Sequence, residues 1–309
     1  ILWRWTIIRL PCISYASSIR IGSDLCGNAS GDSFGASVDI DNFGNRIIIG
    51  SPSYGTYDSG AVQVFEWKFN GWNQVGQLLD GSSHPLRYND YSSETTSTNN
   101  NNFGKRVSMS NDGNCIAVSA VLNDSSDSVN KGYVRVYQYQ YTPSTQWIDK
   151  GEVFSDFSSN DYAFGNDIEL SDDGNVLAIA SYFYGSNKEG IVQVYEWDGT
   201  TWNQRGDDLT NSAVTTNNMF GTSMALNGIG NRIVVSQQDN TQSGFDGTVQ
   251  IFDWNGNRWA QLGNDISGSS INFEHVDFVD AVAINHTGDI IAAHDTNGNK
   301  VHVYTYDAS

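Results

Sequence analysis

The sequence predicts an all-β fold: a β-propeller of four-stranded antiparallel blades, five in number or part of a ring of six or seven. Three observations carry that expectation. A Phe is followed ten residues later by Gly and then Asn or Asp five times, at Phe34 to Gly44, Phe103 to Gly113, Phe164 to Gly174, Phe220 to Gly230 and Phe278 to Gly288. The copies recur at about sixty residues, the mark of one small folding unit repeated end to end. Each copy holds four strand-like segments whose middle members are apolar on both faces, so neighbouring copies must cover both.

The first strand of each copy is half-apolar, as in Phe34-Gly-Ala-Ser-Val-Asp-Ile and Phe220-Gly-Thr-Ser-Met-Ala-Leu. A tight turn follows, Ser110-Asn-Asp-Gly-Asn or Ser171-Asp-Asp-Gly-Asn, where Gly and Asn tolerate positive φ. The second strand is a nearly continuous apolar run: Arg46-Ile-Ile-Ile, Cys115-Ile-Ala-Val, Val176-Leu-Ala-Ile, Arg232-Ile-Val-Val and Ile290-Ile-Ala-Ala. The third is β-branched and aromatic, from Val62-Gln-Val-Phe-Glu-Trp to Val301-His-Val-Tyr-Thr-Tyr. The fourth starts at Trp72, Trp147, Trp202 or Trp259, each with Gly four residues on, at Gly76, Gly151, Gly206 and Gly263.

The last copy stops after its third strand, and the N-terminal region offers a fourth-strand match at Ile19-Arg-Ile-Gly22-Ser-Asp-Leu, with Ser18 in the Trp position. The reading is one domain over 1–309, with repeats near 32–80, 101–155, 162–210, 218–267 and 276–309 and with 17–25 completing the last blade. Ile1-Leu-Trp-Arg-Trp is left over as an additional third-strand-like segment. The stretch Ile1 to Ala16 carries Arg4 and Arg9 where a signal peptide would need an apolar core, so the chain reads as a processed or excised piece.

At these residues the chain resembles the FG-GAP repeat family, the β-propeller type best known from integrin α subunits. Phe34-Gly35, Phe103-Gly104, Phe164-Gly165 and Phe220-Gly221 carry the resemblance, with Gly50-Ser51-Pro52 where the family has Gly-Ala-Pro. The Trp197-Asp-Gly-Thr-Thr-Trp202 turn is similar to that of secreted or surface members. The likeness implies a propeller and an extracellular or cell-surface location. Two departures stand out: Val279 follows Phe278, and the Ala-Pro ending is missing beyond the first repeat. Integrin-type repeats often hold calcium between their first two strands. Calcium needs six to eight oxygens, and the turns here, Asp39 to Asn45 and Asn227 to Asn231, are too short and too poor in alternating acids. The expectation is therefore no cofactor.

Asp and Glu outnumber Lys and Arg by 35 to 16, so the summed field repels phosphate backbones and makes nucleic acid an improbable partner. No apolar run reaches the 18 or more residues of a membrane span. Three cysteines give neither a disulfide framework nor a metal spacing. Cys115 reads as a packed thiol in an apolar strand, and Cys12 with Cys26 could form one disulfide. Four of the five histidines, His275, His286, His294 and His302, fall in the last repeat, scattered over unlike elements as zinc ligands are not. The sequons at Asn28, Asn123 and Asn285 permit N-glycosylation.

Connection lengths separate two rims. The first-to-second-strand turns never vary, and that rim reads as structural. On the opposite rim the intervals from fourth-strand Gly to the next Phe are 12, 27, 13, 14 and 15 residues. Variable loops on a rigid scaffold are where binding resides. Those loops carry Tyr54, Tyr57 and Asp58, and Tyr182, Phe183 and Tyr184: aromatic faces beside polar oxygens, suited to a sugar ring. The alternative is that these rings pack against neighbouring loops. The insert Gly81 to Asn102 ends in Ser, Thr and Asn and reads as a disordered or glycan-decorated loop.

No Gly-x-Ser-x-Gly elbow, His-Glu-x-x-His helix, Walker loop or Cys-x-x-Cys pair occurs. The leading expectation is a non-catalytic binding or adhesion module for glycan or protein. The alternatives are a polysaccharide hydrolase or lyase working through acids such as Asp58 or Asp161, and an architectural subunit of an extracellular or virion assembly.

Overall fold

In the computed structural model the described residues are 5–7, 20–55, 58–83, 102–121, 132–155, 163–211, 218–237, 247–267, 278–295 and 300–306. They form five antiparallel sheets, grouped in two compact units, Gly22–Asp156 and Ile1–Ile21 with Phe157–Ser309. The first strand, β1 (Trp5–Ile7), belongs to the second of these units.

The unit Gly22–Asp156 holds two sheets. One has the order β2 (Ser37–Ile40), β3 (Arg46–Ser51), β4 (Ala61–Lys68) and β5 (Gly71–Gln74), with β6 (Leu79–Asp80) also on β4. The next repeats it: β7 (Phe103–Met109), β8 (Cys115–Ala120), β9 (Tyr133–Gln140) and β10 (Gln146–Asp149), with β11 (Phe154–Ser155) on β9.

The other unit holds three. They are β12 (Asp167–Leu170), β13 (Val176–Ser181), β14 (Ile191–Trp197) and β15 (Trp202–Gln204); then β16 (Met224–Leu226), β17 (Arg232–Gln237), β18 (Thr248–Trp254), β19 (Trp259–Gln261) and β20 (Ile266–Ser267); then β21 (Phe278–Ile284), β22 (Ile290–Asp295) and β23 (Lys300–Tyr306). The four-strand repeat read from the sequence is thus present.

A short hook was not foreseen. The fourth strand is only three or four residues long, so it leaves the first half of the third strand with an open edge. The linker returns to pair there: Leu79 with Val62, Phe154 with Val134, Leu209 with Val192 and Ile266 with Val249. This satisfies backbone groups that would otherwise be orphaned.

The ten-residue interval has a physical origin at each end. Phe103 and Phe220 are fully buried between consecutive sheets, Phe103 against Tyr133 and Tyr137 and Phe220 against Phe252. In all five copies the turn Gly donates its N–H to the residue three before it, Asp41, Ser110, Ser171, Asn227 or Asn285. Gly113, Gly230 and Gly288 have φ of 67, 68 and 82°, where glycine is favoured. Their carbonyls accept from arginines of the preceding sheet: Arg46 Nη1 to Gly113 at 2.9 Å, Arg205 Nη1 to Gly230 at 3.0 Å and Arg232 Nη1 to Gly288 at 2.7 Å. Each guanidinium also lies over an aromatic ring of that next sheet, Tyr139, Trp254 or Tyr306, 4.8 to 5.0 Å from its centroid.

One expectation about the ends is corrected. Of residues 17–25, expected to complete the last blade, those described, 20–25, carry no strand and do not pair with the last strand. The edge of β23 is taken by β1, with Trp5 opposite Tyr306, Thr6 opposite Thr305 and Ile7 opposite Tyr304. Trp5 stands to Tyr306 as Trp72 stands to Trp67, so it is the fourth-strand Trp of the last sheet. It escaped notice because Arg9, not Gly, follows four residues later. Gly22 does fill the linker-Gly position: a Cβ there would lie 2.5 Å from Trp67, as one at Gly206 would lie 2.7 Å from Trp254. Among the described residues no hook reaches β23, and Val301 is 63% exposed where its four counterparts are buried.

Candidate functional site

The β3–β4 and β13–β14 loops are built on one frame. In the first, Tyr54 N–H donates to Ser51 O and Tyr54 O accepts from Gly60 N–H at 2.9 Å. In the second, Tyr184 N–H donates to Ser181 O and Tyr184 O accepts from Gly190 N–H at 3.1 Å. Each loop then receives the start of the following sheet. Asn102 N–H donates to Asp58 O and Phe103 N–H to Ser59 O; Met219 N–H donates to Lys188 O and Phe220 N–H to Glu189 O. Gly60 and Gly190 are required by close approach: a Cβ would lie 2.2 Å from Phe103 O and 2.1 Å from Phe220 O. The frame is therefore rigid where it meets the next sheet and free to vary at its tip.

The tips differ. In the β13–β14 loop the rings of Tyr182 and Phe183 lie 4.1 Å apart at 51°, and Lys188 Nζ sits 4.8 Å from the Phe183 centroid. Tyr182 N–H donates to Asn166 Oδ1 at 2.9 Å, fixing the start of the loop. Glu189 accepts from the backbone and side chain of Asn187. Slight desolvation works the other way, but hydrogen bonds from its own amide and from Asn187 hold its carboxyl below the usual range. All three aromatic side chains of this loop are half-buried, so each keeps an open flank. In the β3–β4 loop Tyr54 and Asp58 are likewise half-buried, with Asp58 at φ 49°. Among the described residues the Asp58 carboxylate has no hydrogen-bond partner. The structure brings the rings of Tyr182 and Phe183 together; Tyr184 stands on the same loop, and Tyr54 and Asp58 stand on the β3–β4 loop. Tyr57 and Asp161 lie outside the described residues.

The remaining sequence candidates are placed as follows. Asn28 and Cys26 are exposed, while Asn123 and Cys12 lie outside the described residues. Asn285 is committed to its turn: Oδ1 accepts from Ile290 N–H, and Nδ2 donates to Thr287 and Asp289. A glycan on that nitrogen would replace bonds that close the turn. Asp41 Oδ1 is similarly occupied by the amides of Asn45 and Arg46. Among the described residues no three His, Cys, Asp or Glu side chains are grouped to hold a metal ion. His286 Nδ1 meets Asp172 Oδ2 at 2.5 Å across Gly228, whose missing Cβ makes room for the pair. His275 lies outside the described residues. Burial pushes the Asp39 carboxyl up, against hydrogen bonds from Ile40 and Met109. With both oxygens accepting amides, at 2.8 and 2.6 Å, Asp39 clamps β2 to β7.

Sequence reasoning missed the exposed rings of the opposite rim. Phe69 and Phe43 project from turns of constant length, and Tyr141 from the longer hairpin between β9 and β10. The available signal was Phe69-Asn70 standing where sister hairpins have Gly199-Thr200 and Gly256-Asn257.

No protein-family model matches the chain, and no curated protein sequence matches it. Solved structures that the chain matches include the periplasmic gluconolactonase PpgL of Pseudomonas aeruginosa, at 13% identity over 88% of this chain and 66% of that one, with a TM-score of 0.49. Hydrazine synthase of Kuenenia stuttgartiensis is 13% identical over 91% of this chain and 59% of its own, with a TM-score of 0.48. The β-propeller domain of the Trilobed protease from Pyrococcus furiosus is 10% identical over 85% and 66%, with a TM-score of 0.42. The chain thus spans less than two thirds of the length of each of these three proteins. No helix among the described residues is long and apolar enough to cross a membrane.

Proposed function

We propose that the chain is a binding module of the FG-GAP type, its five sheets the blades of one propeller, acting outside the cell or at its surface. It takes a glycan or protein ligand on the loops that include Tyr54, Tyr57 and Asp58 and Tyr182, Phe183 and Tyr184. One observation carries this reading: the two loops share every frame hydrogen bond yet present different side chains at their tips. A fixed frame with varied decoration is what a recognition surface on a repeat scaffold requires. The open flanks of Tyr182 and Tyr184 suit the apolar face of a pyranose or a peptide side chain. A glycan array with the wild type and with the Tyr54→Ala, Tyr57→Ala, Tyr182→Ala, Tyr184→Ala variant tests it. Loss of the bound features in a variant of unchanged circular dichroism supports the reading; an unchanged profile refutes it.

Asp58, half-buried and with no hydrogen-bond partner for its carboxylate among the described residues, favours a second reading, a polysaccharide hydrolase or lyase with Asp58 as general acid or base. Reducing-end and unsaturated-uronate assays on marine and plant polysaccharides decide it. Product formation abolished by Asp58→Asn would replace the binding reading with the catalytic one.

A further inference from the structure

In the unit Gly22–Asp156 the rim opposite the loops above carries a strained and fully exposed aromatic. The β4–β5 hairpin closes through Phe69 and Asn70 at φ of 57 and 61°. Positive φ at both central positions is the type I′ geometry, which favours Asn-Gly and disfavours a bulky residue. Phe69 is nevertheless there, 97% exposed and covering no core. Strain without a packing return is a feature of functional positions.

Phe69 does not stand alone. Phe43, 76% exposed, tips the β2–β3 turn, and Tyr141, 58% exposed, begins the corresponding hairpin of the next sheet. The tips are tied into one edge: Trp67 N–H donates to Asn45 O at 2.7 Å and Asn42 N–H to Asn111 O at 3.1 Å. The Tyr141 hydroxyl is held by Arg46 and Asn114. The side-chain amides of Asn42, Asn45 and Asn70 are exposed and make no hydrogen bond among the described residues. Charges at this edge are buried or paired: Arg46 and Asp41 are buried, Lys68 meets Glu66, and Asp112 accepts from Ser110 and Asn114.

We propose that this rim is a binding platform for an uncharged polysaccharide. Phe43, Phe69 and Tyr141 offer ring faces to the C–H faces of successive sugars, and the amides of Asn42, Asn45 and Asn70 donate to and accept from their hydroxyls. The lack of unpaired cationic side chains among the described residues of this edge, with a net charge of −19 on the chain, argues against anionic lipid or polymer as the occupant. The site is independent of the opposite rim.

Co-sedimentation with microcrystalline cellulose, chitin and insoluble mannan tests it, comparing the wild type with Phe43→Ala and with the double variant Phe69→Asn, Asn70→Gly. The wild type is expected to bind at least one of the three. The double variant should lose about tenfold in affinity, the worth of one stacked ring, while melting at a higher temperature because its turn is relaxed. A stabilised protein that binds less cannot be explained by misfolding. Failure of the wild type to bind any of the three, or equal binding by the variants, overturns the proposal. Binding to phosphatidylcholine vesicles that the same variants lose would also overturn it, in favour of a lipid face.

Discussion

Replacing the repeat Phe by Ala should cost very different amounts at positions that are equivalent in sequence. Phe103 is fully buried in the core between the first two sheets, stacked on Tyr133 at 6.2 Å and edge-on to Tyr137 at 6.5 Å. Phe34, its counterpart one repeat earlier, is half-exposed, and its one ring neighbour among the described residues is Phe65 at 6.5 Å. Removing a buried benzyl group forfeits its transfer free energy and leaves a cavity, so Phe103→Ala should lose about 3 to 5 kcal/mol. Phe34→Ala removes a ring that keeps much of its hydration and leaves no enclosed void, so about 1 kcal/mol is expected. Both residues lie in the unit Gly22–Asp156, so one denaturation transition reports on both. Urea unfolding followed by far-ultraviolet circular dichroism gives the two differences at a common slope. Equal losses would refute the view that the motif acts through burial between sheets.

Three further outcomes follow from the same joints. Gly190→Ala should abolish soluble expression or cost more than about 3 kcal/mol, because Phe220 backbone occupies the Cβ position, whereas Gly199→Ala, with open space around it, should cost about 1 kcal/mol; thermal melts compare them. Arg232→Lys cannot keep the two-pronged contact with Asp253 and the bond to Gly288 O together, and should lose about 1 to 3 kcal/mol by urea titration. Burial pushes the Tyr133 phenol up to about 12, the nearby Arg135 charge working against it. The unfolded chain releases that proton near pH 10 while the native state holds it. Stability should therefore fall as pH rises from about 10 to 12, by about 1.4 kcal/mol per pH unit from this group. Tyr133→Phe should flatten that slope in unfolding curves.

The parts of the fold that were legible in the sequence are those written as fixed intervals. Phe, turn Gly, apolar second strand and Trp recur because each occupies one place in a repeated joint, and the structure puts Phe103 and Gly113 at two ends of the same seam. What could not be read has a physical reason. The hooks at Leu79 and Phe154 are two-residue pairings, too short for any period. Trp5 lacks the Gly that marks its siblings, so the last sheet's fourth strand was sought around Gly22. The common frame of the two candidate loops is carried by backbone groups of Tyr54 and Tyr184, which no side-chain pattern records. Phe69 was passed over because its hairpin keeps the common interval from Trp67 to Trp72, and length variation is blind to a change of residue type within a fixed turn.

The claim that function lies on the rims of a fixed scaffold is tested most directly by probing one glycan array with three proteins: the wild type, the variant altered at Tyr54, Tyr57, Tyr182 and Tyr184, and the variant altered at Phe43, Phe69 and Tyr141. The account predicts that both variants stay folded by circular dichroism and that each loses a different subset of bound glycans, the second losing the uncharged polymers. Wild-type profiles from both variants would contradict it.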